Sequence, residues 1–220
     1  MDSKIFELMI NALVLFTAIP VHECAHAWAA HKLGDDTGLR QGRITLNPFA
    51  HLSLWGSLMM VIAGFGWGKP VTVQPANFKN PKRGMMLSSL AGPASNFVMA
   101  FLAMIVYRVL NFVGFIKGDD LMFDLAQIFV YIVLINISLG VFNFLPIPPL
   151  DGSKIFNSLL PDKYYFTIMR YEQYIFIVLV MLVYSGLLEK PLAFLQSAAI
   201  TAMLFLTDWV EPLLRMITGT

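Results

Sequence analysis

The chain has 220 residues, a formal net charge of +1 and a single cysteine, Cys24. Hydrophobic residues make up 57% and charged residues 13%, with a mean hydropathy of +0.68, whereas a soluble domain carries roughly 25% charged residues to cover its surface. These values exclude a soluble single-core domain, a nucleic-acid partner and an intrachain disulfide framework, and leave an integral membrane protein in contact with a lipid bilayer.

The first apolar run, Ile5 to Ala30, predicts a helix about 39 Å long at ~1.5 Å per residue. No charged segment followed by a small-residue cleavage site precedes it, so it reads as retained. It exceeds the ~30 Å hydrocarbon core, which requires tilt, a kink at Pro20 or an emergent end. Inside it lies His22-Glu23-Cys24-Ala25-His26, an H-E-x-x-H pattern. On a helix the two histidines stand one turn apart on one face and can reach a single metal ion. Glu23, on the neighbouring position, can take a proton from water activated there. Such a short pattern also arises by chance, and a histidine in a soluble core is ordinarily a satisfied hydrogen-bonder. A membrane helix changes that balance. Ionisable groups cost roughly 2.5–3.5 kcal/mol near its centre, and a bound cation would offset the cost. Cys24 reads as a small packed residue, and His31, beside the Gly34–Gly38 turn, as a solvated histidine.

Residues 39–84 are the least helix-like. The β-branched runs Gly42–Pro48 and Lys69–Pro75, bounded by Gly and Pro, predict a small sheet at the membrane face. Between them, Leu54 to Trp67 is apolar, glycine-rich and too short to span comfortably, so it reads as a re-entrant or interfacial segment. His51 reads as a hydrogen-bonded loop histidine.

Further spans are expected over Met85–Phe115, Leu121–Leu145 and Tyr171–Leu188, while Leu192–Leu206 either spans or lies along the surface. The second span contains Gly92-Pro93 and Asn96, tolerated where they face protein or water. After the third comes Asn143-Phe144-Leu145-Pro146-Ile147-Pro148-Pro149-Leu150-Asp151-Gly152, whose prolines cannot continue a helix. Asp151 therefore sits on irregular backbone, which membrane depth accepts only where it lines a site. The expected architecture is an α-helical polytopic membrane protein: five to six membrane helices with a small membrane-face β-sheet or re-entrant segment. It would form one domain over 1–220, with a core at roughly 5–160 and additional helices over 171–220.

Loop 68–84 carries Lys69, Lys79, Lys82 and Arg83 without an acid, and loop 116–124 carries Lys117 against Asp119, Asp120 and Asp124. The positive-inside bias makes the first loop cytoplasmic and the amino terminus external. His22, His26 and Asp151 then emerge at one side of the membrane, as ligands of one ion must.

The combination of His22-Glu23-x-x-His26, Gly92-Pro93-x-x-Asn96 and Asn143-x-x-Pro146-x-Pro148-x-x-Asp151-Gly152 resembles the site-2 proteases, zinc metalloproteases that cut within the membrane. The stretches Gly42–Pro48 and Gly68–Pro81 look like loops of the compact prokaryotic branch, which lacks PDZ and CBS domains. The likeness covers roughly residues 15–160. One departure is Ser53, two positions after His51, where relatives often carry an acid.

The resemblance implies one Zn2+ per chain, held by His22, His26 and Asp151 with a fourth position open to water, and Glu23 as the catalytic base. Zinc in that arrangement lowers the pKa of water towards ~7 and polarises a carbonyl. Asn143 and Asn96 would hold the substrate backbone or the developing oxyanion, with helix–helix hydrogen bonding as their alternative. The implied partner is a membrane protein with a transmembrane helix, cleaved from the cytoplasmic side of a prokaryotic cell membrane. An extended run near Val71–Val73 could pair with the unwound substrate. The competing readings are a metal transporter and a zinc-dependent non-catalytic membrane protein, neither of which needs Glu23. A serine protease is disfavoured because Ser95 has no histidine placed later in the chain.

Overall fold

The protein is described here by a computed structural model covering residues 12–63 and 68–219. The expected first helix is therefore seen only in part. A π-helical turn, Val14–Ala18, leads without a break into α1, Ile19–Lys32, where Pro20 lacks the N–H that a regular helix would use. A short helix α2, Thr37–Arg40, follows, and α3, Leu54–Ala63, occupies the glycine-rich apolar stretch. Two long helices come next. Pro81–Lys117, α4, starts at an Asn80 cap that accepts from the Arg83 amide and stops at left-handed Gly118. Asp120–Asn143, α5, starts at an Asp119 cap that accepts from the Leu121 amide. The prolines at 146, 148 and 149 interrupt the chain before α6, Asp151–Asn157. The remaining helices are α7, Asp162–Arg170; α8, Glu172–Tyr184; α9, Glu189–Leu206; and α10, Val210–Thr218.

The core lies between α4, α5 and α9. Ala100, Ala103 and Met104 meet Val133, Ile137 and Val141, with Met203 closing the third side. Small residues on α4 let the backbones approach, as helix pairs in lipid require. The outward faces are apolar as well: Val98, Leu102, Leu121, Phe194 and Phe205 are all exposed. That surface is suited to hydrocarbon, and the protein is a membrane protein.

The expected count of five to six membrane helices is not met among the described residues. Three are long and apolar enough to cross: α4, α5 and the α9–α10 stretch Glu189–Thr218. The expected span over Tyr171–Leu188 is broken by a bend. It passes only as part of the α7–α8 pair, bent by 66°, which makes a fourth crossing if the pair counts as one span. Lys82, in the first turn of α4, pairs with Asp162 at 3.0 Å and also donates to the Leu160 carbonyl. The middle of α9 lies deeper, level with Phe97 of α4. Its Leu195 and Ala199 line an apolar cavity of about 390 Å³ with Phe144, Pro146 and Phe156, beside the end of α5. Its last turn instead meets Arg108, far along α4, whose guanidinium donates to Thr207 Oγ1 and the Leu204 carbonyl. Residues 185–188 join α8 to α9. So short a link reaches at most ~17 Å, well under a ~30 Å core.

The expected small sheet is also corrected. Among the described residues the only β pairing is an isolated antiparallel bridge between Leu52 and Gly68. Residues 69–74 run as an extended strap, in which the Lys69 amide donates to the His51 carbonyl and two later backbone donors turn to carboxylates. The Val71 amide donates to Glu23 Oε2 at 2.9 Å and the Gln74 amide to Asp35 Oδ2 at 2.7 Å. A β-branched run bounded by glycine and proline fits such a strap as well as it fits a strand.

Candidate metal centre

Three elements bring the site together. On α1, His22 and His26 lie four residues apart, their rings edge-to-face with centroids 4.6 Å apart. From the start of α6 comes Asp151. Its Oδ2 lies 3.1 Å from Nε2 of each histidine, and the two Nε2 atoms are 3.0 Å apart. All three side chains are nearly enclosed, at 8%, 10% and 12% exposure. The third element, α4, supplies the wall.

That wall has no room for a side chain at Gly92. A Cβ there would stand 2.7 Å from His22 Cε1 and would overlap the imidazole of His26. Pro93, next in the helix, removes the bond to the Ser89 carbonyl and loosens this turn of α4. The preceding carbonyl, of Ser88, accepts from His26 Nδ1 at 2.7 Å. A second glycine holds the carboxylate side. A Cβ at Gly152 would overlap the carbonyl oxygens of Phe144 and Leu145, so α6 can start only by pressing its backbone onto the end of α5.

The donor set fits a divalent cation. A carbonyl oxygen only accepts, so His26 carries its proton on Nδ1 and turns the lone pair of Nε2 inward. His22 is arranged alike, its Nδ1 lying 2.6 Å from Asn96 Oδ1. Two imidazole lone pairs and a carboxylate oxygen thus converge within 3.1 Å and repel one another unless a cation lies among them. Tetrahedral zinc, with ligands at ~2.0–2.1 Å, spaces its donors roughly 3.3–3.4 Å apart, within a few tenths of an ångström of this triangle. Two histidines and a carboxylate are also a catalytic donor set, which leaves a coordination position open.

Glu23 follows His22 on α1. The Val71 amide holds its Oε2, and Oε1 has no partner among the described residues. The strap that supplies this amide is anchored again at Asp35, which is fully buried. Burial pushes the Asp35 carboxyl up. Hydrogen bonds from the Thr37 hydroxyl, the Asn77 side chain, and the Gln74 and Thr37 amides outweigh it and hold the carboxyl below its ordinary value.

The structure thus gathers His22, His26 and Asp151, with Glu23 alongside. Asn96 lies behind His22 with both halves of its amide engaged: Oδ1 on His22 and Nδ2 on Asn136 Oδ1 at 2.9 Å. Asn143 donates to the Leu139 carbonyl of its own helix at 3.1 Å. His51 is buried and bonded to the Thr45 carbonyl, His31 pairs with Asp36, and Ser95 bonds back to the Gly92 carbonyl. Three participants escaped the sequence reading: the Ser88 carbonyl, the Val71 amide and Asn136. The two backbone groups carry no signature in residue identity. Asn136 could have been found, as an amide in the middle of an otherwise apolar span.

Comparison with known proteins gives a consistent picture. The model of peptidase family M50 matches residues 109–185. A Bacillus subtilis protein named as a candidate zinc metalloprotease, YwhC, is 39% identical over 175 residues, covering 80% of this chain and 78% of its own. Zinc metalloprotease MJ0392 of Methanocaldococcus jannaschii is 27% identical over 164 residues, which is 74% of this chain but 38% of that protein. Rip2 of Mycolicibacterium smegmatis, also named as a candidate zinc metalloprotease, is 28% identical over 191 residues, covering 84% of this chain and 70% of its own. No solved structure matches the chain.

Proposed function

The chain belongs to peptidase family M50, the site-2 protease family, and is a metalloprotease; from that premise we propose that it cuts membrane proteins within or beside their transmembrane helices, using one zinc ion. The observation that carries this reading is the triangle of His22, His26 and Asp151 donor atoms, enclosed by helices whose outer faces are apolar. We assign the site to the cytoplasmic face of a prokaryotic membrane, on the charge asymmetry of loops 68–84 and 116–124.

His22, His26 and Asp151 would hold the zinc, which when bound polarises the scissile carbonyl and acidifies a water molecule. Glu23 takes the proton from that water and returns it to the leaving amine. The Val71 amide fixes one oxygen of Glu23 and leaves the other for proton transfer. Because Ser88 and Asn96 hold the outer nitrogens of the two imidazoles, the rings need no reorientation during turnover. Asn96 acts through His22 in this account, with no group left over for substrate. Asn143, half-buried at the end of α5, keeps the role of contacting the substrate backbone. Thr72, exposed on the strap, is the position from which an unwound segment could be gripped by strand addition.

The test is Glu23→Gln, assayed by zinc content and by cleavage of a model membrane substrate. Zinc should stay near one per chain while cleavage is lost. Cleavage that survives the substitution would remove the protease reading in favour of a transporter or a scaffold.

A further inference from the structure

We propose that Asn136, in the middle of α5, is a positioning residue for metal binding that dictates which nitrogen of His22 carries the proton. The inference rests on the reading of His22 as a zinc ligand. It starts at a group whose polarity is not negotiable. The Ile132 carbonyl, inside α5, can only accept a hydrogen bond. Asn136 approaches it at 2.9 Å and must therefore present its NH2. The other half of the Asn136 amide, Oδ1, is then turned towards Asn96, 2.9 Å away, and Asn96 must answer with its own NH2. This leaves Asn96 Oδ1 facing His22 Nδ1 at 2.6 Å. An oxygen there requires Nδ1–H. The lone pair of His22 is thereby placed on Nε2, the atom 3.1 Å from Asp151 Oδ2.

Each link is sealed from solvent. Asn96 and Asn136 are both fully buried, so no bulk water can substitute for a missing partner. Turning either amide over would set oxygen against oxygen or NH2 against NH2. Without Asn136, however, nothing decides between the two orientations of Asn96. The flipped one offers NH2 to His22 Nδ1, moves the imidazole proton to Nε2 and points it into the metal cluster. The polarity of a helix carbonyl on α5 is thus transmitted through two amides to a ligand on α1. His26 needs no such relay, because the Ser88 carbonyl acts on it directly.

A plain interhelical hydrogen bond between α4 and α5 would also place Asn96 opposite Asn136, so the experiment must separate polarity from packing. Asn136→Leu keeps the number and branching of heavy atoms and removes the acceptor. Asn136→Asp keeps an acceptor towards Asn96 whether or not the carboxyl is protonated. Full-length protein in detergent is assayed by zinc competition against a fluorescent chelator. The zinc-free protein, labelled with 15N-histidine, is examined by NMR for the His22 tautomer. Asn136→Leu should weaken zinc binding by about 10–100-fold, the range for outer-shell partners of a metal-bound histidine, and should populate the Nε2–H form of His22. Asn136→Asp should remain close to wild type in both measurements. Wild-type zinc affinity and an unchanged Nδ1–H tautomer in Asn136→Leu would overturn the relay. So would equal loss in both variants with no tautomer change, which would mark Asn136 as a packing residue. Failure of the wild-type chain itself to bind zinc would instead sink the metal reading, while the tautomer comparison would still decide the relay.

Discussion

Replacing Gly92 by alanine adds one methyl group and should empty the metal site. The new Cβ would lie 2.7 Å from His22 Cε1, about 0.7 Å inside ordinary contact at 3.4 Å, and would overlap the His26 ring outright. Neither ring can retreat freely, since Asn96 and the Ser88 carbonyl hold them from behind. Metal–ligand distances tolerate only about 0.2 Å, so a displacement several times larger breaks the donor triangle. Outer-shell changes cost 10–100-fold in affinity; a substitution that moves two ligands should cost at least about 100-fold. Helix propensity acts in the opposite direction. Alanine is favoured over glycine by ~1 kcal/mol in a helix interior, so general weakening of α4 would not account for the loss. Zinc per chain, measured by mass spectrometry of purified protein after mild chelation, should fall close to zero and cleavage with it. A Gly92→Ala protein with full zinc and wild-type turnover would show that the ring positions described here are wrong.

Other outcomes follow from the strap and from the bent α7–α8 pair. Val71→Pro deletes the amide that holds Glu23 and should lower cleavage by roughly tenfold or more, about 1.4 kcal/mol of transition-state stabilisation, with zinc retained; unchanged turnover would show that Glu23 needs no such tether. Thr72→Pro leaves that amide in place, so reduced cleavage with full zinc would indicate substrate pairing along the strap. Asp35→Asn should destabilise the protein by about 1–3 kcal/mol through lost charge-assisted acceptors. Because the folded carboxyl titrates below its unfolded value, its stabilisation is complete above about pH 4 and is lost as pH falls through the folded pKa. Thermal unfolding against pH should therefore show an acid-sensitive step in the wild type that Asp35→Asn lacks. Finally, cysteines at Lys79 and Ser185, introduced singly in a Cys24→Ala background, should react with an impermeant thiol reagent from the same side of the membrane. Labelling from opposite sides would mean that α7 and α8 do cross.

The grouping of His22, His26 and Asp151 is legible in the chain because ligand chemistry demands particular side chains, and in a lipid environment those side chains have few other uses. Helices α4 and α5 were legible for a similar reason, as long apolar runs with polar caps. The sheet was misjudged because its test is pairing, which composition does not encode: the Val71 and Gln74 amides chose carboxylates over a neighbouring strand. At α7 and α8 hydropathy reports affinity for hydrocarbon but not the 66° bend that breaks the run. For Asn96 the sequence offers both substrate contact and a helix–helix hydrogen bond, and the partner of that bond, Asn136, lies 40 positions away in sequence.

Asp151 and His26 are 125 positions apart, on helices that touch the same cluster from opposite walls. An ion gripped by both is consequently a rivet as well as a reagent. Stripping it should loosen the seam between the opening helix and the proline-rich turn, so that chelation costs the protein rigidity along with chemistry.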